Sequence, residues 1–154
     1  MGEKGWSPPK WMYRGRRPTS DDAYFENMTR VIFQAGLSWK MIDEKWPNFK
    51  KAFKDFSIDQ VAKFSENDVK RLMSNTGIVR NQAKIVAAIK NAQSFQDIRK
   101  EHKSFRSFLK GLDKSGNYAS VIKEMHERFQ RLGPSSARIF LYTVGEDIKH
   151  PEET

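Results

Sequence analysis

Read by hydrophobic position, the chain falls into stretches of helical period separated by polar turns. Tyr24, Phe25, Met28, Val31, Ile32 and Ala35 recur at helical spacing behind Ser20, a good N-cap, with Asp21 and Asp22 where a helix dipole favours acids. Gly36 ends that run. Ser38 opens a second helix, expected to reach about Lys45 and to break near Trp46-Pro47. A short helix over 48–55 then presents Phe49, Ala52 and Phe53. Ser57 and Ser65 read as further N-caps, and Ser65-Glu66-Asn67-Asp68 has the form of a capping box. The longest helix is expected over 80–99, with Ala83, Val86, Ile89, Ala92 and Phe95 along one face. Residues 104–109 suit one more short turn, and the polar loop 111–117 is the clearest hinge. Residues 119–132 are amphipathic through Val121, Ile122, Met125 and Phe129; Gly133-Pro134 interrupts them and a last helix covers 135–144. Strand-like alternation and internal repeats are absent from the sequence. The expected fold is all-α, a compact body of roughly eight to ten short helices. Ahead of it, residues 1–19 form an irregular arm. Pro8, Pro9 and Pro18 prevent a regular helix there, while Trp6, Trp11, Met12 and Tyr13 give the arm apolar surface to pack on the body, residues 20–154.

Composition narrows the functional classes. With 154 residues, 38% hydrophobic and 31% charged, the chain suits one soluble domain with a single core. It holds no apolar run long enough to cross a bilayer, and its first residues lack the apolar segment of a signal peptide, so a cytoplasmic monomer is the default expectation. The lack of cysteine excludes disulfides, thiolate catalysis and cysteine-based zinc sites in this chain. His102, His126 and His150 have no ligand spacing, so neither a metal nor another cofactor is expected. The net charge of +9 favours a polyanionic partner, most often nucleic acid. The surplus is uneven: between Val79 and Lys114 nine Lys and Arg face three acids.

Three stretches carry candidate chemistry. Around Leu132-Gly133-Pro134-Ser135-Ser136, a helix, a tight turn and a helix N-terminus would offer backbone N–H groups and hydroxyls to phosphate, flanked by Arg131 and Arg138. An ordinary helical hairpin with proline in its first turn explains the same residues. In Phe33-Gln34-Ala35-Gly36-Leu37-Ser38-Trp39, Trp39 beside a sharp turn could stack on an extruded base and Leu37 could fill the gap left in a duplex. Plain core packing of both is the alternative. In Gly77-Ile78-Val79-Arg80-Asn81-Gln82-Ala83-Lys84, Arg80 and Lys84 stand one turn apart and suit phosphate contacts or a solvated basic face.

Together with Asp21-Asp22-Ala23-Tyr24-Phe25-Glu26, these last two blocks resemble the signature stretches of the 3-methyladenine DNA glycosylase I family, with matching spacing from about Ser20 onward. The resemblance implies a helix–hairpin–helix glycosylase that flips a damaged base out of duplex DNA. It implies a base pocket lined by Trp39, Trp6, Val31, Gln34 and an arm aromatic such as Tyr13. Gly36 and Leu37 would sit at the lesion gap. Leu132, Gly133, Ser135, Ser136 and Arg138 would meet the phosphates, helped by Arg80 and Lys84. Related bifunctional enzymes carry a lysine after the hairpin glycine; Pro134-Ser135-Ser136 here supports a monofunctional enzyme. This sequence departs from the family at three places. Val31 stands where the family has a pocket glutamate. Lys4 and Thr154 stand where two zinc-binding cysteines would fall, leaving His150 as the only matching ligand, so no zinc is expected. Arg14-Gly15-Arg16-Arg17-Pro18 replaces an apolar arm segment and would make the pocket entrance more positive. Glu146 and Asp147 are the acids nearest to where related glycosylases keep a catalytic aspartate, although solvated loop acids are the plainer reading. The expected activity is excision of an alkylated, 3-methyladenine-like base, with a DNA-binding module that has lost excision as the alternative.

Overall fold

The computed structural model describes residues 7–149; their regular structure is helical, with no strand among them. Eight α-helices are described: α1 (Asp21–Gln34), α2 (Trp39–Ala52), α3 (Ile58–Val61), α4 (Glu66–Met73), α5 (Gln82–His102), α6 (Phe105–Lys110), α7 (Ser115–Arg128) and α8 (Pro134–Thr143). A short 3-10 turn, Lys54–Phe56, joins α2 to α3. Helix α1 packs against α2, α5 and α8, while α5 collects α3, α4 and α6, and α7 pairs with α8.

Local chemistry sets the helix starts. The hydroxyls of Ser20, Ser38, Ser57 and Ser104 each accept from the amide three residues on. At Ser65 the Asp68 carboxylate accepts from the Ser65 amide at 2.9 Å, the reciprocal half of the capping box. Asp21 and Asp22 do more than favour their own helix dipole. Asp22 accepts from the first amide of α3 (Ile58, 3.0 Å), and Asp21 accepts from the first amide of α6 (Phe105, 3.0 Å). Two acids at the start of α1 thus satisfy orphan donors on two other helices.

The expected break at Trp46-Pro47 does not occur: α2 runs through Pro47 and absorbs the separate helix anticipated over 48–55. An interior proline costs about 3 kcal/mol. Keeping the helix intact offsets that by holding Trp46, Phe49 and Ala52 in the core, where Trp46 stacks on Phe49 and Phe56 with centroids 5.0 and 5.1 Å apart. A second aromatic group, Phe25, Phe95, Phe105, Phe129 and Phe140, closes the centre between α1, α5, α6 and α8. The segment expected as a hinge is also tied down. Lys114 Nζ donates to the Leu109 carbonyl at 2.8 Å, Asp113 accepts from the Ser115 amide, and Gly116, Asn117 and Tyr118 take positive φ before α7 becomes regular.

The described part of the arm lies along α1 and the end of α8. Met12 is buried, the Tyr13 amide donates to the Thr143 carbonyl at 2.7 Å, and Asn27 Nδ2 donates to the carbonyls of Trp11 and Thr143. Arg14 lies over the Tyr142 ring and donates to the Tyr142 and Glu146 carbonyls. Arg17 pairs with the buried Glu146 carboxylate at 3.1 Å. Gly145, at φ +86°, lets the arm pass so closely that any Cβ there would meet the Tyr13 and Arg16 carbonyls.

Candidate functional site

Where α1 ends and α8 begins, the two helices wall a cleft of about 260 Å³ lined by Val31, Gln34, Ala35, Gly36, Leu37, Trp39, Ser135, Ser136 and Ile139. Two of the sequence blocks therefore meet, although a hundred residues separate them. The turn between α1 and α2 owes its shape to Gly36 at φ +77°, a conformation that side chains with Cβ resist. It leaves Leu37 at 37% and Trp39 at 43% exposure, the large hydrophobic side chains left exposed among the described residues. Trp39 stands edge-on to Trp11 of the arm, centroids 6.2 Å apart, and the buried Arg30 guanidinium lies over the other ring, 4.3 Å from the Trp11 centroid.

Gln34 is one of several buried polar side chains with an unpartnered atom, with Tyr24 and Arg138 among the others. It is 2% exposed, and neither its amide oxygen nor its amide nitrogen has a partner. An unpaired buried amide costs on the order of 1–3 kcal/mol, so its persistence asks for a ligand or a bound water. Across the cleft, α8 starts at Gly133 with Pro134 as its first residue, and the amides of Ser135 and Ser136 belong to the first turn, where the helix itself offers no acceptors. Ser135 is exposed and Gly133 has open space where a Cβ would go. Leu132 is buried, so only its backbone can face a ligand. Arg131 is exposed beside this turn; Arg138 is half-buried with one Nη1 enclosed and unpartnered.

Several expected site residues are placed elsewhere. Lys84 is no phosphate ligand: it is 5% exposed, and its Nζ donates to the carbonyls of Phe33 (3.2 Å) and Ala35 (2.9 Å). Burial, reinforced by nearby Arg131, holds its ammonium below the ordinary lysine range. Its function is to cap the C-terminal end of α1 and brace the Gly36 turn from behind. Arg80 remains exposed but does not line the cleft. Tyr13 does not line it either; its ring lies under Arg16, and Trp11 is the arm aromatic beside Trp39. Trp6 lies outside the described residues. Glu146 is not a solvated loop acid. It is 4% exposed, paired with Arg17, and accepts from the Tyr118 hydroxyl at 3.1 Å, so it locks the arm to the start of α7. Burial and the Glu146 charge raise the Tyr118 hydroxyl's pKa. Asp147 is exposed, with its amide on the Tyr118 hydroxyl. Arg14 and Arg17 are engaged with the end of α8 and do not line the cleft.

The sequence had not singled out Ile139 or Trp11. Ile139 follows Ser135 by one helical turn, and that period alone would have placed it on the same face. A larger open groove of about 500 Å³, lined by Gln82, Ala83, Val86, Ala87, Lys90, Gln130 and Arg131, contains no buried unpaired polar group. The family resemblance implies a zinc site of two cysteines and two histidines. The residues present do not fit one: the chain has no cysteine, and among the described residues no three potential ligands gather. Lys4, His150 and Thr154 lie outside the described residues.

The fold is that of known DNA glycosylases. It matches 3-methyladenine DNA glycosylase I from Staphylococcus aureus, in a structure concerned with 3-methyladenine recognition, at a TM-score of 0.75 and 26% identity over 86% of this chain and 80% of that one. A crystal structure of 3-methyladenine DNA glycosylase I matches at 0.74 and 28% identity, covering 92% and 91% of the two chains. The methyladenine glycosylase family model matches residues 10–139, and the chain belongs to that family. Among relatives, DNA-3-methyladenine glycosylase 1 of Escherichia coli is 37% identical over 91 residues, 59% of this chain and 49% of that protein. The DNA-3-methyladenine glycosylase of Haemophilus influenzae is 29% identical over 107 residues, 70% of this chain and 54% of that protein. The chain thus spans about half the length of the curated relatives it matches.

Proposed function

We propose that the chain is a monofunctional DNA N-glycosylase that extrudes an alkylated, 3-methyladenine-like base from duplex DNA into the cleft and releases it, a step of base-excision repair. The observation that carries this reading is one cleft holding two features that suit an extruded base: an exposed Trp39 for stacking and an exposed Leu37 to occupy the vacated place. The first turn of α8 would hold the backbone through the Ser135 and Ser136 amides and hydroxyls. Alkylation at a ring nitrogen places positive charge on the purine. When its bond to the sugar breaks, the bond's electron pair neutralises that charge, which makes the base a good leaving group. Water then adds to the sugar carbon and one proton goes to solvent, giving the free base and an abasic site. For so labile a bond, the protein's residues contribute by selecting and orienting the base more than by proton transfer. Pro134-Ser135-Ser136 follow Gly133, so that turn holds no lysine for a covalent lyase step.

The purified chain is expected to release 3-methyladenine from alkylated duplex DNA, read by chromatography, and Trp39→Ala to slow release by on the order of tenfold to a hundredfold, the worth of one stacked base. One observation favours a second reading. Among the described residues the cleft is lined by Val31 and no acid, and Glu146 is locked into the arm. Tight, salt-dependent duplex binding without release of any base would identify a DNA-binding module that keeps the fold and has lost excision.

A further inference from the structure

Between α7 and α8 the backbone makes a tight turn, and a side chain from a third helix holds it. Asn91, in the middle of α5, is 1% exposed and commits both its amide atoms to one residue of that turn. Its Nδ2 donates to the Gln130 carbonyl at 3.2 Å, and its Oδ1 accepts from the Gln130 amide at 2.7 Å. Nearby on α5, Ala88, Ala92 and Phe95 are buried and apolar, so burial disfavours an asparagine here unless its bonds compensate. The next residue of the turn, Arg131, takes φ +57°, a left-handed conformation that a residue with a Cβ resists and that surrounding contacts must impose. On one side of it the Gln130 backbone is fixed by Asn91. On the other, Leu132 is buried and its carbonyl lies 3.2 Å from His126 Nδ1. Gly133 follows as the N-cap of α8, so the conformation of Arg131 sets how the chain enters the helical turn carrying the Ser135 and Ser136 amides.

We propose that Asn91 is a positioning residue for the DNA backbone contact: by clamping Gln130 it holds Arg131 in its left-handed conformation and so sets the first turn of α8 to receive a phosphate. The proposal rests on the reading that this turn meets the DNA backbone, and it adds the enclosed residue through which that contact is held. Asn91 itself touches no DNA. With Gln130 released, Arg131 relaxes to an ordinary negative φ, and the Ser135 and Ser136 amides and the Arg131 charge lose their common arrangement.

The test is duplex affinity measured against salt by fluorescence anisotropy, beside thermal melting of the same proteins. Asn91→Leu keeps the volume and removes both bonding atoms. It should weaken duplex binding about tenfold at moderate salt and make the plot of log affinity against log salt shallower by about one phosphate contact. Ser94, one turn along α5, donates to the Arg128 carbonyl at 3.1 Å and so ties α5 to the end of α7 without touching the turn. Ser94→Ala should therefore lower the melting temperature and leave the salt slope as it was, because loosening the fold alone removes no phosphate contact. Should Asn91→Leu fail to fold, the small and neutral Asn91→Ser is expected to show the same shallower slope. An unchanged slope in the folded Asn91 variant overturns the assignment, as does an equal change in Ser94→Ala. Gly133→Asp separates this from the reading beneath it. A slope that responds to Gly133→Asp and not to Asn91→Leu keeps the turn as the backbone contact and overturns the role of Asn91; a slope that responds to neither removes both.

Discussion

Leu37 and Trp39 keep apolar surface in water although most large hydrophobic side chains of the described fold are enclosed. Neither is left outside for want of room, because the turn that carries them is firmly held: Gly36 takes its left-handed conformation and the Leu37 amide donates to the Gln34 carbonyl at 2.9 Å. A residue so exposed contributes little to stability, but burying it in a partner would contribute roughly 1.5–3 kcal/mol. Leu37→Ala is therefore expected to change folding stability by no more than about 0.5 kcal/mol while weakening binding to a duplex with an abasic gap by on the order of tenfold. Thermal melting and fluorescence anisotropy on the same variant separate the two effects. Unchanged affinity would remove Leu37 from the lesion gap; a large drop in melting temperature would return it to the core.

Between elements, the decisive contact runs from α5 to the end of α1. Lys84 satisfies two carbonyls, Phe33 and Ala35, that the helix terminus leaves without amide donors. Lys84→Met keeps the aliphatic stem and removes the donor, leaving those acceptors short of a partner, so a loss of about 1–3 kcal/mol is expected on chemical denaturation. The same variant should loosen the turn that presents Leu37 and Trp39 and reduce duplex affinity with it. A stable variant with unaltered affinity would show that the turn holds itself. Lys84 also marks where the sequence stopped being legible. Its spacing from Arg80 describes a basic helix face equally well whether solvated or docked, and only the approach of α1 decides that it is docked. Glu146 presents the same difficulty, since a polar loop residue becomes a buried ion pair only when the arm brings Arg17 to it. Pro47 misled in the other direction: its local cost is legible, and the stacking of Trp46 on Phe49 and Phe56 that outweighs it is not. Where local chemistry decides alone, as at Ser20, Ser57 and Ser65, the element starts could be read from the chain. The cleft was legible as two blocks, one at the glycine turn and one at Gly133-Pro134, but the choice of Trp11 over Tyr13 depends on how the arm folds back.

At the scale of the whole molecule, the charge of +9 has to be set beside a cleft with no charged side chain among its described lining residues. A cationic surface attracts any duplex by displacing counterions and carries no sequence information. The turn at Gly133 is where that general attraction would become a defined contact, because helix α8 begins there with open space at the glycine and exposed Ser135 next to it. Gly133 has ordinary negative φ and nothing within 4 Å of a built Cβ, so Gly133→Asp places a negative charge at this turn with no steric conflict. The variant is expected to melt like the parent chain and to bind undamaged and damaged duplexes alike about tenfold more weakly at moderate salt. Its plot of log affinity against log salt should be shallower by on the order of one phosphate contact. Gly133→Ala, equally compatible with the fold, should bind like the parent. An unchanged salt slope in Gly133→Asp would move the backbone contact elsewhere on the basic surface, and the open groove beside Lys90 and Arg131 would then be the next place to put a charge.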